Sequence, residues 1–230
     1  YDLSNADETV IKELSDMIAL ASDMRTPYVC AFASRDNIDE ITEALRKLIP
    51  VAAEKSVTIL IKTSGVFSDT ARLRDLMNYF ACDEIAVLWD VHHPYRDMGE
   101  TPAQTITNLG AYVKHVHLRD SDDEGDYELV GEGTFPIDDV MRALYSVDFP
   151  GFISLEWKPE WMEDLTDTDV IFPHFVNYMN RFENTRGKKR VLYPNHDGTG
   201  QYVWKKDELL NCTFSQVLDR MAEEFPDQYC

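Results

Sequence analysis

Four polar residues stand where apolar, strand-like runs end, and their types suit metal or acid/base chemistry. Residues 57–61 run into Lys62, 85–89 into Asp90, 113–116 into His117 and 152–155 into Glu156. A carboxylate offers a hard oxygen ligand, and an imidazole a titratable donor that also binds metals. Asp90-Val-His-His-Pro94 is the sharpest local signal, because His93 at i+3 lets an oxygen ligand and an imidazole reach the same small ligand. The bland alternative, an Asp capping a loop with two surface histidines, fits less well beside the apolar Trp89. In His115-Val-His-Leu-Arg-Asp120 the two histidines share one strand face, and only His117, nearer the carboxyl end, reaches the mouth of a sheet. His117 is therefore the candidate ligand, Asp120 a residue that orients it, and His115 a satisfied core histidine. Glu156 lies between Leu155 and Trp157, a carboxylate in an apolar run that needs a partner, with an outward salt bridge as the alternative. Trp157 reads as pocket wall or packing aromatic. Gly131-Glu-Gly133 either brings backbone to a ligand or makes a tight turn before a helix started by Pro136.

Positioning these residues together requires strands whose carboxyl ends converge. Each run is followed by a loop and a helix-like stretch, the alternation of a parallel β/α sheet, in which that convergence is built in. The pattern predicts helices over 7–24, 38–54, 69–80, 102–109 and 137–145, with strands at 28–33, 57–62, 85–90, 113–118 and 152–157. A final helix runs through about residue 182. Asn37 is placed as the cap of the second helix, and residues 1–4 as the tail of a sixth strand. A closed (β/α)8 barrel needs eight units and about 250 residues. The expected fold class is thus α/β, a partial (β/α)8 TIM barrel of about five β/α units over 1–182 with a short C-terminal appendage, about three N-terminal units being absent. An open doubly wound sheet is the alternative. Both chain ends read as cut from something longer. An exposed strand edge near the N-terminus is expected to be covered by a symmetry partner, making a homo-oligomer, or by another part of the chain.

With 230 residues, 44% of them hydrophobic, the chain can bury a core. Lys and Arg number 22 against 42 Asp and Glu, and the resulting net charge of −20 opposes phosphate backbones and anionic lipid. Neither nucleic acid nor a membrane is expected as partner, and the lack of a signal pattern at the start suggests a cytoplasmic protein. Cys30, Cys82, Cys212 and Cys230 form no CxxC pair and read as free, mostly buried thiols. Composition changes at Glu183: residues 184–190 are basic and 194–200 turn-rich, so 183–200 reads as a linker. Residues 201–230 pattern as a short strand and a helix capped by Thr213, too little for a core of their own.

Trp89-Asp-Val-His-His-Pro94, Gly99-Glu-Thr-Pro102, His115-Val-His-Leu-Arg-Asp120, Gly131-Glu-Gly133 and Leu155-Glu-Trp157 together resemble the xylose isomerase-like barrel family of sugar isomerases and epimerases, over residues 1–182. The resemblance implies that a Glu, an Asp, a His and a second Glu from four consecutive strands bind one divalent ion (Mn, Mg or Zn). It also implies that the two glutamates move a proton between neighbouring carbons of a small sugar or polyol. The matching positions are Lys62, Asp90, His117 and Glu156. On this basis Asp90, His117 and Glu156 are the metal ligands, Glu156, Lys62 and His93 the catalytic positions, and His93, Asp120 and Trp157 the substrate contacts. Lys62 departs from the pattern, since an ammonium in place of a carboxylate changes the local charge by two and removes one proton carrier. It either swings to solvent and leaves three ligands, or replaces the ion between Asp90 and Glu156, or forms a Schiff base. Asp123 stands where many epimerases carry an Arg. A second resemblance covers 198–230, where Gly198-Thr-Gly-Gln-Tyr-Val-Trp and Thr213-Phe-Ser-Gln-Val-Leu-Asp-Arg-Met look like the opening of an AMP-forming acyl-CoA synthetase. Two functions follow: a metal-dependent isomerase or epimerase, or a non-catalytic, polyol-binding barrel module attached to a ligase domain.

Overall fold

The computed structural model describes residues 1–157 and 168–183. The chain divides into two compact units, 1–180 and 181–230, and the first carries the architecture below. Helix α1 (Glu8–Asp23) starts at Asp7, whose carboxylate accepts the N–H groups of Thr9 and Val10, and it buries Leu14, Ile18 and Ala21. The rest alternates: β1 (Tyr28–Ala33), α2 (Ile38–Lys55), β2 (Thr58–Gly65), α3 (Thr70–Phe80), β3 (Ile85–Asp90), α4 (His92–Met98), α5 (Pro102–Leu109) and β4 (Val113–Leu118). A small antiparallel pair, β5 (Asp120–Ser121) with β6 (Tyr127–Glu128), interrupts the alternation before α6 (Ile137–Ser146), β7 (Phe152–Leu155) and α7 (Thr168–Glu183).

The five long strands form one all-parallel sheet in the order β1-β2-β3-β4-β7, which is chain order. A doubly wound sheet reverses its strand order at a switch point, whereas here every crossover steps the same way, as in a TIM barrel. The open-sheet alternative is set aside on that ground, and the fold is a partial barrel. Asp2 bridges Phe32 in parallel and the Phe32 N–H donates to Tyr1 O at 2.9 Å, so the first residues lie along the outer side of β1, as a strand tail would.

Register decides which residues share a face. Lys62 pairs with Leu88, Leu88 with His115, Asp90 with His117, and His117 with Ser154. With the period of two, Lys62, Asp90, His117 and Glu156 fall on one face. Leu60, Ala86 and Leu88 cluster on it behind them, with Tyr28 packed against them. On the other face Ile59, Ile61, Val87, Trp89, Val116 and Leu118 are buried.

Several details differ from the pattern read off the sequence. Helix α4 begins two residues after β3, where a loop was expected, and accommodates Pro94 in its first turn, where no intrahelical N–H is needed. Asn37 occupies the N-cap position of α2 without a side-chain cap hydrogen bond. Strand β7 ends at Leu155, which puts Glu156 one residue past the ladder, although its N–H still donates to Leu118 O at 2.9 Å. Cys30 and Cys82 are free thiols, but Cys30 is exposed rather than buried. The expected linker at 183–200 and the appendage at 201–230 lie outside the described residues apart from the backbone of Glu183, as do Cys212 and Cys230. Among the described residues no helix is long and apolar enough to cross a membrane.

Candidate functional site

The site lies at the carboxyl ends of β2, β3, β4 and β7, and an ion cluster fills it. Lys62 Nζ stands 2.8 Å from Asp90 Oδ2 and 2.8 Å from Glu156 Oε1, so one ammonium bridges both carboxylates. Asp90 is fully buried and the Glu156 and Lys62 side chains are 11% and 18% exposed, so these charges interact with little help from water. Of the three fates weighed for Lys62, swinging to solvent is not the one adopted.

Asp90 is held from several sides. Its backbone N–H donates to Thr63 Oγ1, whose hydroxyl donates back to Asp90 O, tying the end of β3 to β2. The His92 N–H donates to Asp90 Oδ1 at 3.2 Å, leaving Oδ2 to the cations.

A second cation enters from the β4–β5 junction. Arg119 is 5% exposed and donates from Nη1 to Glu156 Oε2 at 3.1 Å, and its Nη2 stands 3.6 Å from Asp90 Oδ2. Its guanidinium lies over the Tyr127 ring at 5.1 Å, and Nη2 donates to His93 Nε2 at 3.0 Å. Because a guanidinium only donates, His93 Nε2 accepts, and the ring proton sits on Nδ1, facing Asp97 Oδ2 at 2.9 Å. Sequence reasoning missed Arg119. It lies two residues past His117, and extending the strand's alternation by one step would have placed it on the same face.

The charges explain the shifted protonation equilibria. Burial would push the Glu156 carboxyl up, yet His117, Lys62 and Arg119 around it hold it well below the usual carboxylate range. Burial likewise opposes the Lys62 ammonium, but Asp90 and Glu156 more than compensate and raise it. His92, desolvated and close to Arg119, is lowered to about 4 and is neutral at pH 7. Its Nε2 lies 3.1 Å from Ser121 Oγ, and its ring stacks between Tyr127 and Phe135.

The remaining expected site residues are placed as follows. His117 Nδ1 is 3.8 Å from Glu156 Oε1, so His117 joins the cluster's rim. His115 meets Ser154 Oγ at 2.9 Å, a partnered histidine within the sheet, and is pushed below the usual value by burial and by His117. Asp120 is engaged elsewhere than the expected contacts with His117 or substrate. Its carboxylate accepts the backbone N–H groups of Ser121, Gly131, Gly133 and Phe135, at 2.7 to 3.2 Å. Gly131 and Gly133 thus serve a turn. A Cβ on Gly133 would fall 2.3 Å from Asp120 Oδ1, and Gly131 has φ +95° beneath the Tyr178 ring. Trp157 is half-buried beside Glu156, with an indole N–H that has no hydrogen-bond partner among the described residues. Asp123, at the position expected to hold an Arg, is approached at 3.8 Å by Arg96, which is fixed by Ser121 and Thr134.

These residues do not fit a divalent ion as arranged. Asp90, His117 and Glu156 share a face, but the ammonium and the guanidinium occupy the carboxylate oxygens an ion would need. Among the described residues no group of three or more His, Cys, Asp or Glu is arranged to hold one. The model of the xylose isomerase-like TIM barrel family matches residues 2–171. The chain belongs to that family. Among solved structures of similar fold are a D-tagatose 3-epimerase-like protein (15% identity, TM-score 0.64) and 3-keto-D-glucoside 4-epimerase from E. coli (12%, 0.61), each alignment covering 80% of this chain and 75% of that one. A D-psicose 3-epimerase solved in the presence of D-fructose aligns at 14% identity and TM-score 0.64, over 82% of this chain and 74% of its own. At these identities the likeness is one of fold. No curated protein sequence matches the chain. The segment resembling an acyl-CoA synthetase lies outside the described residues.

Proposed function

We propose that this xylose isomerase-like barrel is a non-catalytic, cytoplasmic module that binds a small sugar or polyol without a divalent ion, and that it is fused to an acyl-CoA ligase domain beginning within residues 198–230. The observation that carries the reading is the Lys62 ammonium, 2.8 Å from both Asp90 and Glu156. Moving a proton between neighbouring carbons needs two groups that can each take it up and release it near neutral pH. Lys62 is held protonated and Glu156 is held ionised, so neither is poised for that exchange. A Schiff base needs a neutral amine, and the raised Lys62 equilibrium opposes it. For binding, Lys62 has a third N–H beyond its two carboxylate contacts, and His117 Nδ1 and Trp157 Nε1 are buried polar atoms without hydrogen-bond partners among the described residues. These groups suit the hydroxyls of a polyol.

The alternative reading, a metal-dependent isomerase or epimerase, is favoured by Asp90, His117 and Glu156 on one face and by the epimerase neighbours. Incubation of the chain with D-fructose and D-psicose in D2O, with and without Mn²⁺, separates the two. The proposal expects saturation-transfer contacts to the sugar and no deuterium at its carbons. Deuterium incorporation that requires Mn²⁺ and disappears in Glu156→Gln would establish the alternative.

A further inference from the structure

We propose that the divalent ion is replaced here by two side chains acting together, Lys62 and Arg119, which form an internal dication. The inference rests on the reading that an ammonium sits among the carboxylates, and it extends that reading to a residue no motif assigned. The charge balances, since Lys62 and Arg119 contribute two positive charges against the two carboxylates of Asp90 and Glu156. Both carboxylates meet both cations. Asp90 Oδ2 is 2.8 Å from Lys62 Nζ and 3.6 Å from Arg119 Nη2, while Glu156 offers Oε1 to Lys62 at 2.8 Å and Oε2 to Arg119 at 3.1 Å. Two cations divide the oxygens of two carboxylates, work that a single metal ion does alone.

Arg119 is a fixed part of this arrangement. It is 5% exposed, its guanidinium is seated on Tyr127, and one of its donors is taken by His93. A guanidinium packed in this way lacks the freedom of a surface lysine to leave for solvent. Restoring the carboxylate expected at position 62 would therefore leave a cation beside Asp90 Oδ2 and Glu156 Oε2, in competition with any incoming ion. Regaining full metal affinity requires both cations to be removed.

Calorimetric titration with Mn²⁺ of the unmodified chain, Lys62→Glu, Arg119→Ala and the double variant tests this, with circular dichroism as the check on folding. The internal dication predicts no binding by the unmodified chain, weak binding by Lys62→Glu, and at least a further tenfold gain in the double variant. Equal affinity in Lys62→Glu and the double variant would overturn the role of Arg119. Tight binding by the unmodified chain would overturn the replacement altogether. If a variant fails to fold, Mn²⁺-dependent thermal stabilisation of Lys62→Gln/Arg119→Met against Lys62→Gln alone gives the same comparison. Sugar contacts and deuterium exchange probe the polyol-binding reading separately, so it can fail while the dication stands.

Discussion

Replacing Lys62 with Met keeps most of the side-chain volume and deletes the bridging charge. At 2.8 Å and an effective dielectric near 20, each of the two ammonium–carboxylate contacts is worth about 6 kcal/mol of gross attraction. Most of that is cancelled by the cost of taking the ions out of water, and removing one partner of a buried pair leaves a net loss of about 3–5 kcal/mol. Arg119 stays close to both carboxylates, which puts the expectation at the lower end, about 3 kcal/mol at pH 8. The pH dependence identifies the cause. In the unmodified chain Glu156 is held below its ordinary value of 4.5, so its stabilising contribution is present above that value and is lost only as pH falls through the depressed native one. Lys62 is raised above 10.5, so its contribution is intact below that value and is lost only as pH rises through the native one. Neither titrates between about pH 5.5 and 8 in the native protein. Without the ammonium one of the groups opposing burial at Glu156 is lost while His117 and Arg119 remain, so the carboxyl takes up a proton more readily than in the unmodified chain. The destabilisation should then shrink as pH falls below the ordinary carboxylate value of 4.5, where the unmodified chain loses the Glu156 contribution. Urea unfolding followed by circular dichroism at about pH 8 and about pH 3.5 measures it. A loss under about 1 kcal/mol that is the same at both would refute the ion-bridge reasoning.

Three further outcomes follow from the packing. Asp120→Ala removes the acceptor shared by four backbone N–H groups and should cost about 3 kcal/mol, with faster amide exchange at Gly131 and Gly133; unchanged exchange would mean that the turn holds itself. Gly65→Ala should cost about 2 kcal/mol or more in chemical denaturation, because Gly65 has φ +61° and a Cβ there would meet Ala33 O at 2.1 Å. Thr101→Ala dismantles the capping box with Gln104 at the start of α5 and should cost only about 1 kcal/mol, leaving sugar binding unaltered; a change in sugar binding would show that α5 is coupled to the site.

The fold was legible because its signals are local. Apolar runs bounded by turns mark Ile85–Asp90 and Val113–Leu118 as strands, and Asp7 and Asp69 sit at helix starts where their carboxylates do cap. The convergence of Lys62, Asp90, His117 and Glu156 was legible too, since strand-end position and alternation alone put them on one face. What the sequence hid depends on contacts between distant segments. Nothing near Asp120 indicates that its carboxylate gathers N–H groups from residues 131–135, and strand-end logic passes over Arg119 because it lies one residue beyond β4. Helix α4 was hidden by Pro94, which signals a loop unless it falls in a first turn.

The central claim is that a protonated Lys62 occupies the place of the ion, and the most direct measurement is the protonation of its Nζ followed by ¹⁵N NMR on the unmodified chain, assigned with Lys62→Arg. The account predicts an ammonium that keeps its proton through and beyond the ordinary lysine range, with hydrogen-bond couplings to carboxylate oxygens. An amine that loses its proton in the range of about 7–8, typical of activated catalytic lysines, would contradict it.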